Sequence, residues 1–440
     1  MKKSSGISNI VMEHTWTVLE KSIMNIKDNI LNSREERAKL INTYLLDYKT
    51  VISVKANMPG LDKNNHLSYL LVNAFSYLAN TISNSKIDYR QNDDGPFLLI
   101  MTNDVDSQSV KNEMVEIENS HELGRLIDID VYDKQGSFSR GGSRICYLCD
   151  DYAINCIKNN KHSFEEIIEF IRDKVYKYYQ RILWDNLDSS IMEELALDPK
   201  FGLVTPYSSG SHKDMNYELM IKAKTAIIPF FIKMFFVTCE KKDVNDLLIE
   251  LKNIGISAET AMFLATEGIN AYKGLIFNLG LVVSGIAYKT SRFSSENIFE
   301  IFKKFAEILF KEYKYRGNSY GDIAYQKYLI SGIKGEALNG FKHVQEALPI
   351  LKDFTWISKI RALVFYITNI EDTSFLKRAG SIESYLEVKK LFVDLDIFDM
   401  NQVNSLNQLC IENNLSFGGS ADLLVVTVFL KKINDLWQFF

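Results

Sequence analysis

The chain has 440 residues, 46% of them hydrophobic and 24% charged, with a formal net charge of −5. That length exceeds one ordinary core and predicts two or three domains of a well-packed protein, not a disordered one. The acidic balance gives no electrostatic case for nucleic acid or an anionic membrane as partner.

Met1 to Ser8 lead into no uninterrupted apolar core of the kind a signal peptide needs. The longest apolar runs are Ala226–Val237, broken by Pro229 and Lys233, and Leu275–Tyr288, broken by Asn278. Both fall short of the roughly 20 residues that span a bilayer. Five cysteines, an odd number in a large chain, point to a reducing cytoplasm.

Along the first 170 or so residues the hydrophobic period changes repeatedly. Glu35–Tyr48 predicts a helix, Thr50–Ala56 a strand ending in the turn Asn57-Met58-Pro59-Gly60, and His66–Thr81 a further helix. Pro96–Thr102 and Ile127–Tyr132 read as strands. Ser163-Phe164-Glu165-Glu166 is a capping box opening a long helix through Tyr176–Trp184. Beyond it helical periodicity dominates, as in Asn297–Tyr313 and Lys359–Tyr366. The expectation is an N-terminal α/β (α+β) domain over residues 1–172 and an all-α domain over 173–440.

Asp128 and Asp130 alternate with apolar residues in Leu126-Ile-Asp-Ile-Asp-Val131. The two-residue period of a strand puts both carboxylates on one face, where they can hold Mg²⁺ and so gather phosphate oxygens; the alternative is a plain polar strand face. Arg140 and Arg144 flank Gly141-Gly142, a loop suited to gripping a polyphosphate. Cys146, Cys149, Cys156 and His162 have the spacing of a Cys₃His zinc site, and the alternative is small thiols packed in a core. In the helical half the chemistry lies at interruptions: Phe201–Asp214 with His212 and Lys213, Thr266–Gly274 with Asn270 and Lys273, Gly332–Glu336, Ile370–Arg378, and Phe417–Asp422 with Gly418, Gly419 and Ser420. Singly, each is equally a helix cap. Neither a P-loop nor a Gly-rich dinucleotide turn after a strand is present, and no G-x-S-x-G elbow appears.

Two resemblances attach to these residues. Ser33-Arg34-Glu35-Glu36-Arg37, Asn57-Met58-Pro59-Gly60, Gly124-Arg125-Leu126 with Asp128-x-Asp130, and Arg144-x-Cys146-x-x-Cys149 with Cys156 and His162 resemble the apo-citrate lyase phosphoribosyl-dephospho-CoA transferase family, over about residues 25–170. Residues 173–440 resemble the triphosphoribosyl-dephospho-CoA synthase family in Gly202-Leu203-Val204, Gly210-x-His212-Lys213-Asp214-Met215, Lys273-Gly274-x-Ile276-Phe277, Gly332-x-Lys334-Gly335-Glu336-Ala337, Asp372-Thr373 and Asn414-Leu415-Ser416-x-Gly418-Gly419-Ser420-Ala421-Asp422.

The resemblance implies a nucleotidyltransferase-like first domain fused to the synthase. The second domain would join ATP to 3′-dephospho-CoA with loss of adenine. The first would pass the phosphoribosyl-dephospho-CoA unit to a serine of the citrate lyase acyl carrier subunit, releasing pyrophosphate. Asp128 and Asp130 would bind Mg²⁺, while Arg125, Arg140 or Arg144 holds the leaving pyrophosphate. For the synthase, Asp214, Glu336, Asp372 and Asp422 are the candidate carboxylates, with Asp372 and Asp422 as Mg²⁺ ligands. Lys213, Lys273 and Arg378 are the candidate phosphate contacts, with His212, Asn270, Gly418, Gly419 and Ser420 lining the nucleotide site.

Three departures stand out. The synthase family's usual Pro-Lys-Pro-Gly is Pro199-Lys200-Phe201-Gly202 here, its Asn-Thr-His-Lys-Gly is Asn270-Ala271-Tyr272-Lys273-Gly274, and its Asp-Thr-Asn is Asp372-Thr373-Ser374. A tyrosine in place of the histidine is a poorer acid/base near neutrality. The rivals to a bifunctional transferase are a helical half that is a Mg²⁺-dependent nucleotide hydrolase, or one that only docks the carrier. An analogous carrier, such as that of malonate decarboxylase, is the rival acceptor.

Overall fold

The computed structural model describes residues 5–138, 144–310, 317 and 319–437. It separates into two compact units, residues 1–179 with 290–293, and residues 180–289 with 294–440. Arg140 and the Gly141-Gly142 turn lie outside the described residues. No described helix is long and apolar enough to cross a membrane.

In the first unit, five strands form one sheet in the order β2-β3-β1-β4-β5: β1 Thr50–Ala56, β2 Lys86–Asn92, β3 Gly95–Thr102, β4 Ile127–Asp133 and β5 Gly136–Phe138. Every pairing is antiparallel, which makes this an α+β arrangement rather than a parallel α/β one. β1 lies at the centre and is buried almost throughout, as is β3. On β4, Ile127, Ile129 and Val131 enter the core, so Asp128 and Asp130 must take the opposite face. Helices α2 (His66–Asn73) and α4 (Ser107–Ser120) pack on the sheet, and the end of α1 (Ser5–Asp47) seats Ile41 and Leu45 on Val51, Leu99 and Met101. The predicted helix over 66–81 is two pieces, because the chain turns at Ala74–Tyr77 before α3 (Leu78–Thr81). Helix α5 (Ala153–Lys158) is short, and α6 (Phe164–Leu195) opens on the predicted box. There the Glu166 amide donates to Ser163 Oγ and the Ser163 amide to Glu166. The division into units falls inside α6.

Among its described residues the second unit consists of helices and connecting loops, with no strand. After α6 come α7 Tyr217–Glu240, α8 Val244–Ala265, α9 Lys273–Thr290, α10 Ile298–Phe310, α11 Tyr320–Tyr328, α12 Gly332–Leu338, α13 Lys342–Ala347, α14 Trp356–Asn369, α15 Thr373–Ala379, α16 Ile382–Val393, α17 Met400–Glu412 and α18 Gly418–Trp437. Helix α18 is apolar on nearly every face and buried accordingly, packed by α13, α14 and α15. Its N-terminus, opening on Gly418-Gly419, is thereby fixed in the interior.

The Phe201 departure has a structural cause. Its φ is +53°, in the left-handed region closed to proline, and its fully buried ring meets Phe392 edge-on at 4.9 Å. Restoring the family's residue with Phe201→Pro therefore removes a core ring and imposes an impossible φ. It should destabilise the protein by at least about 3 kcal/mol, read from the shift of the urea midpoint.

Candidate functional site

The sheet register of the first unit sets Ser53 opposite Asp130 and Lys55 opposite Asp128. Partial desolvation beside the sheet, reinforced by the Asp128 charge, pushes the Asp130 carboxyl above its usual range, although its side chain reaches solvent. Cations surround this face. Arg34 and Arg37, one turn apart on α1, reach the buried Asp94 at 3.1 and 2.9 Å, and Lys55 Nζ reaches it at 2.7 Å. Burial alone would raise Asp94, but the bonds from Lys55 and Arg37 outweigh it and hold the carboxylate ionised. Lys63 donates to the Met58 carbonyl of the turn after β1, and burial lowers its ammonium below the usual lysine range. Sequence reasoning missed Lys55, Lys63 and Asp94. The run Ser33–Arg37 was their only signal, and no spacing connects it to β1 or to the turn at residue 94.

Arg144 pairs directly with Asp128 and lies 3.8 Å from Glu118. Arg125 instead donates to the carbonyls of Ile145 and Cys146, bracing the cysteine loop. The ligand atoms of Cys146, Cys149, Cys156 and His162 all lie within 4.8 Å of one another.

In the second unit, the loops expected to carry chemistry converge on one cavity of about 900 Å³. Asn270, Lys273, Glu336, Asp372, Arg378, Gly418, Gly419, His212 and Asp422 all line it. Asp372 caps two helices at once. It accepts from the Phe375 amide in the first turn of α15 and from the Ser420 amide in the first turn of α18, both at 3.0 Å. Ser420 thus supports the site from behind, by amide and hydroxyl. Burial raises the Asp372 carboxyl despite these amides, and burial together with Asp372 and Glu194 raises Asp422 well above the usual range. Gly274 is required beside them, since a Cβ there would stand 2.2 Å from Asp422 Oδ2. Two desolvated carboxylates with like-charge coupling are a donor set that fits a hard divalent cation.

Not all of the predicted residues are equally free or central. Lys213 and Asp214 are exposed and do not line the cavity; Asp214 approaches His212 only to 4.0 Å. Asn270 caps α9 by accepting from the Lys273 amide, and Lys273 pairs with Glu259 at 2.8 Å. Lys200 is enclosed and bound to Glu194 at 2.7 Å.

His212 has a definite tautomer. Arg378 can only donate, so its 2.9 Å contact makes Nδ1 the acceptor, and Nε2 donates to Ser416 Oγ at 2.9 Å. Burial and the Arg378 charge hold His212 down to about 4. Arg378 is anchored in turn by the carbonyls of Ser211 and Asn414.

Tyr272 is buried at the cavity wall with no hydrogen-bond partner for its hydroxyl, and burial pushes the phenol well above its usual range, so its proton is held tightly. An imidazole reaches this cavity from a different element. His343, at the start of α13, lines the same cavity and is gripped by Glu336, which accepts from its Nδ1 at 2.7 Å and its amide at 2.9 Å. The Glu336 bond raises His343 above 6.5 despite partial burial. Sequence reasoning found Glu336 but not His343, seven residues on in an unremarkable stretch.

Two family models match the chain in tandem. Residues 26–178 match the apo-citrate lyase phosphoribosyl-dephospho-CoA transferase model, and residues 182–439 the ATP:dephospho-CoA triphosphoribosyl transferase model. The chain belongs to the fused family that joins these two transferases. It is 29% identical to Protein CitXG of Haemophilus influenzae over 95% of this chain and 98% of that protein. It is 30% identical to Protein CitXG of Leuconostoc mesenteroides over 92% and 96% respectively. A 2-(5″-triphosphoribosyl)-3′-dephosphocoenzyme-A synthase of Haemophilus ducreyi aligns with 65% of this chain at 28% identity and is itself covered over 99%.

The folded chain resists protonating His212 until about pH 4, whereas an unfolded histidine takes a proton near 6.5. The neutral form's stabilisation is therefore complete above about pH 6.5 and is lost as pH falls toward 4, by at most about 3 kcal/mol. His212→Gln should flatten that part of the stability–pH curve relative to the wild type, measured by urea denaturation at a series of pH values.

Proposed function

We propose that the chain builds the citrate lyase prosthetic group and attaches it. ATP and 3′-dephospho-CoA give 2′-(5″-triphosphoribosyl)-3′-dephospho-CoA and adenine, and the phosphoribosyl-dephospho-CoA unit then passes to a serine of the lyase's acyl carrier protein with release of pyrophosphate. The tandem match of both family models over nearly the whole chain carries this reading. We assign synthesis to residues 173–440 and transfer to residues 1–172, the latter as a nucleotidyltransferase-like domain, both acting in the cytoplasm.

For synthesis, the ribosyl C1′ of ATP develops oxocarbenium character as adenine leaves, and the acceptor 2′-hydroxyl replaces it. The charge demands are a proton for the base and negative charge near the ribose. His343, whose protonated form Glu336 favours, is the acid for adenine, and Tyr272 stands in the same cavity wall as a tightly held phenol. Asp372 and Asp422 would hold Mg²⁺, which when bound neutralises triphosphate charge. Lys273 and Arg378 stand in the cavity wall to take up the rest. A carboxylate of this group accepts the 2′-hydroxyl proton.

For transfer, the carrier serine attacks the α-phosphate and pyrophosphate departs. Asp128 and Asp130 would hold Mg²⁺ there, and Lys55, Lys63, Arg37 and Arg144 form the positive rim that receives the leaving group. Asp94 fixes Lys55 and Arg37 so that they need not reorganise.

The purified chain with Mg²⁺, ATP and dephospho-CoA should release adenine, seen by chromatography, and added apo-carrier should gain the mass of the phosphoribosyl-dephospho-CoA unit. Asp372→Asn should stop adenine release yet still label the carrier from preformed intermediate, and Asp128→Asn should do the reverse. Ribose triphosphate without coupled product would instead support a hydrolase. Carrier binding without any turnover would support a scaffold.

Because the His343 shift is upward, the acid is charged below its pKa and lost above it. Adenine release should hold steady on the acid side and fall as pH rises past a value above 6.5. His343→Gln should lower the rate by about 100-fold or more and abolish that alkaline limb.

A further inference from the structure

The segment from Arg144 to Ser163 is held together by very little. Among its residues only Cys146 and Cys156 are buried, while Ile145, Tyr152, Ile154 and Ile157 are all exposed. Its apolar packing is slight, chiefly Tyr147 stacked on Phe170 at 6.0 Å, and α5 is a six-residue helix too short to stand alone. Yet its backbone is closed into a tight hairpin by a bridge between Ile145 and Tyr152, with the Cys146 amide on the Asp151 carbonyl and the Ala153 amide on the Arg144 carbonyl, both at 2.8 Å. A segment of this kind needs a cross-link.

The hairpin delivers four donors to one point. Cys149 Sγ lies 3.5 Å from Cys156 Sγ and 3.3 Å from His162 Nε2, and the four ligand atoms lie within 4.8 Å of one another. A tetrahedral site with Zn–S bonds of about 2.3 Å places its sulfurs about 3.8 Å apart, inside that range. The amide of Leu148 points at Cys146 Sγ at 3.5 Å, and the amide of Asp151 at Cys149, each two residues after its cysteine. Such amides stabilise thiolates rather than thiols. Three thiolates and a neutral imidazole around a divalent ion leave one net negative charge, and Lys161 lies against Cys149 to balance it. Three sulfurs and one nitrogen at tetrahedral spacing select zinc over the hard cations suited to carboxylates.

We propose that Cys146, Cys149, Cys156 and His162 bind one zinc ion that staples this segment and holds Arg144 against Asp128. Binding displaces the thiol protons of the three cysteines to solvent. The clamp reaches the phosphate site by two routes: Arg144 precedes the first ligand by two residues, and Tyr147, inside the Cys146–Cys149 turn, donates to the Asn57 carbonyl at 3.1 Å. Arg144 is here a positioned residue, and this consequence alone rests on assigning carrier transfer to the first unit; the metal site does not.

The full chain, purified without chelator from zinc-supplemented medium, should carry one zinc per chain by elemental analysis. Replacement with Co²⁺ should give thiolate charge-transfer bands in the near ultraviolet and strong tetrahedral bands in the visible. Cys149→Ser and His162→Ala should each reduce the metal content at least tenfold, whereas Cys239→Ser should retain it. If the variants fail to fold, the wild type still decides: zinc should protect three of the five cysteines from a thiol reagent. Wild-type protein without zinc, without cobalt bands and with no protection overturns the site. Stripping the metal should slow carrier labelling at least tenfold while adenine release continues. Equal labelling rates with and without zinc would overturn the positioning of Arg144, and absence of labelling in the zinc-loaded chain would count against the transfer assignment alone.

Discussion

A desolvated carboxylate locked by fixed donors organises each unit. Asp94 is enclosed by Arg34, Arg37 and Lys55, and Asp372 by the first-turn amides of α15 and α18. At Asp94 the cations outweigh the cost of burial, whereas at Asp372 burial prevails over the amides that hold the carboxyl in place, and both geometries tolerate little rearrangement. That rigidity suits chemistry in which phosphate charge must be met by groups already in place. The cavity of the second unit follows from it. Asp372 ties two helix ends together, Gly274 lets Asp422 approach, and the apolar burial of α18 fixes the whole.

The replacement of histidine by Tyr272 changes its meaning once the cavity is seen. A buried phenol without a hydrogen-bond partner holds its proton tightly, which is unlike a residue that exchanges protons near neutrality. His343 stands in the same wall with Glu336 behind it, and this is the arrangement a general acid requires. Phe201, by contrast, is a core residue whose backbone proline could not adopt, and it does not line the cavity.

In the first unit the aspartates, the cations and the cysteine hairpin form one chain of support. The strand period aims Asp128 and Asp130, the register brings Lys55 alongside, and the hairpin returns Arg144 to Asp128. Each link is local in space and distant in sequence.

Local pattern determined a good deal by itself. Thr50–Ala56 and Ile127–Tyr132 are strands, Ser163 and Glu166 do cap α6, and the alternation at Asp128 and Asp130 set their face, because period and capping act within a few residues. The loop residues of the helical half were recognisable as Gly-plus-charge interruptions, and the two family patterns were recognisable by their motifs. What the tertiary structure alone decided was which of these meet. Edge strand β2 has no clean alternation and was not legible, nor were Lys55, Lys63 and Asp94 as partners of the aspartates. Lys213 and Asp214 sit next to His212 in sequence but face solvent, while His343 joins the cavity from a helix with no motif. The physical reason is that hydrophobic periodicity specifies which face of an element is buried, whereas a site is made by side chains from several elements. Their convergence depends on how those buried faces pack.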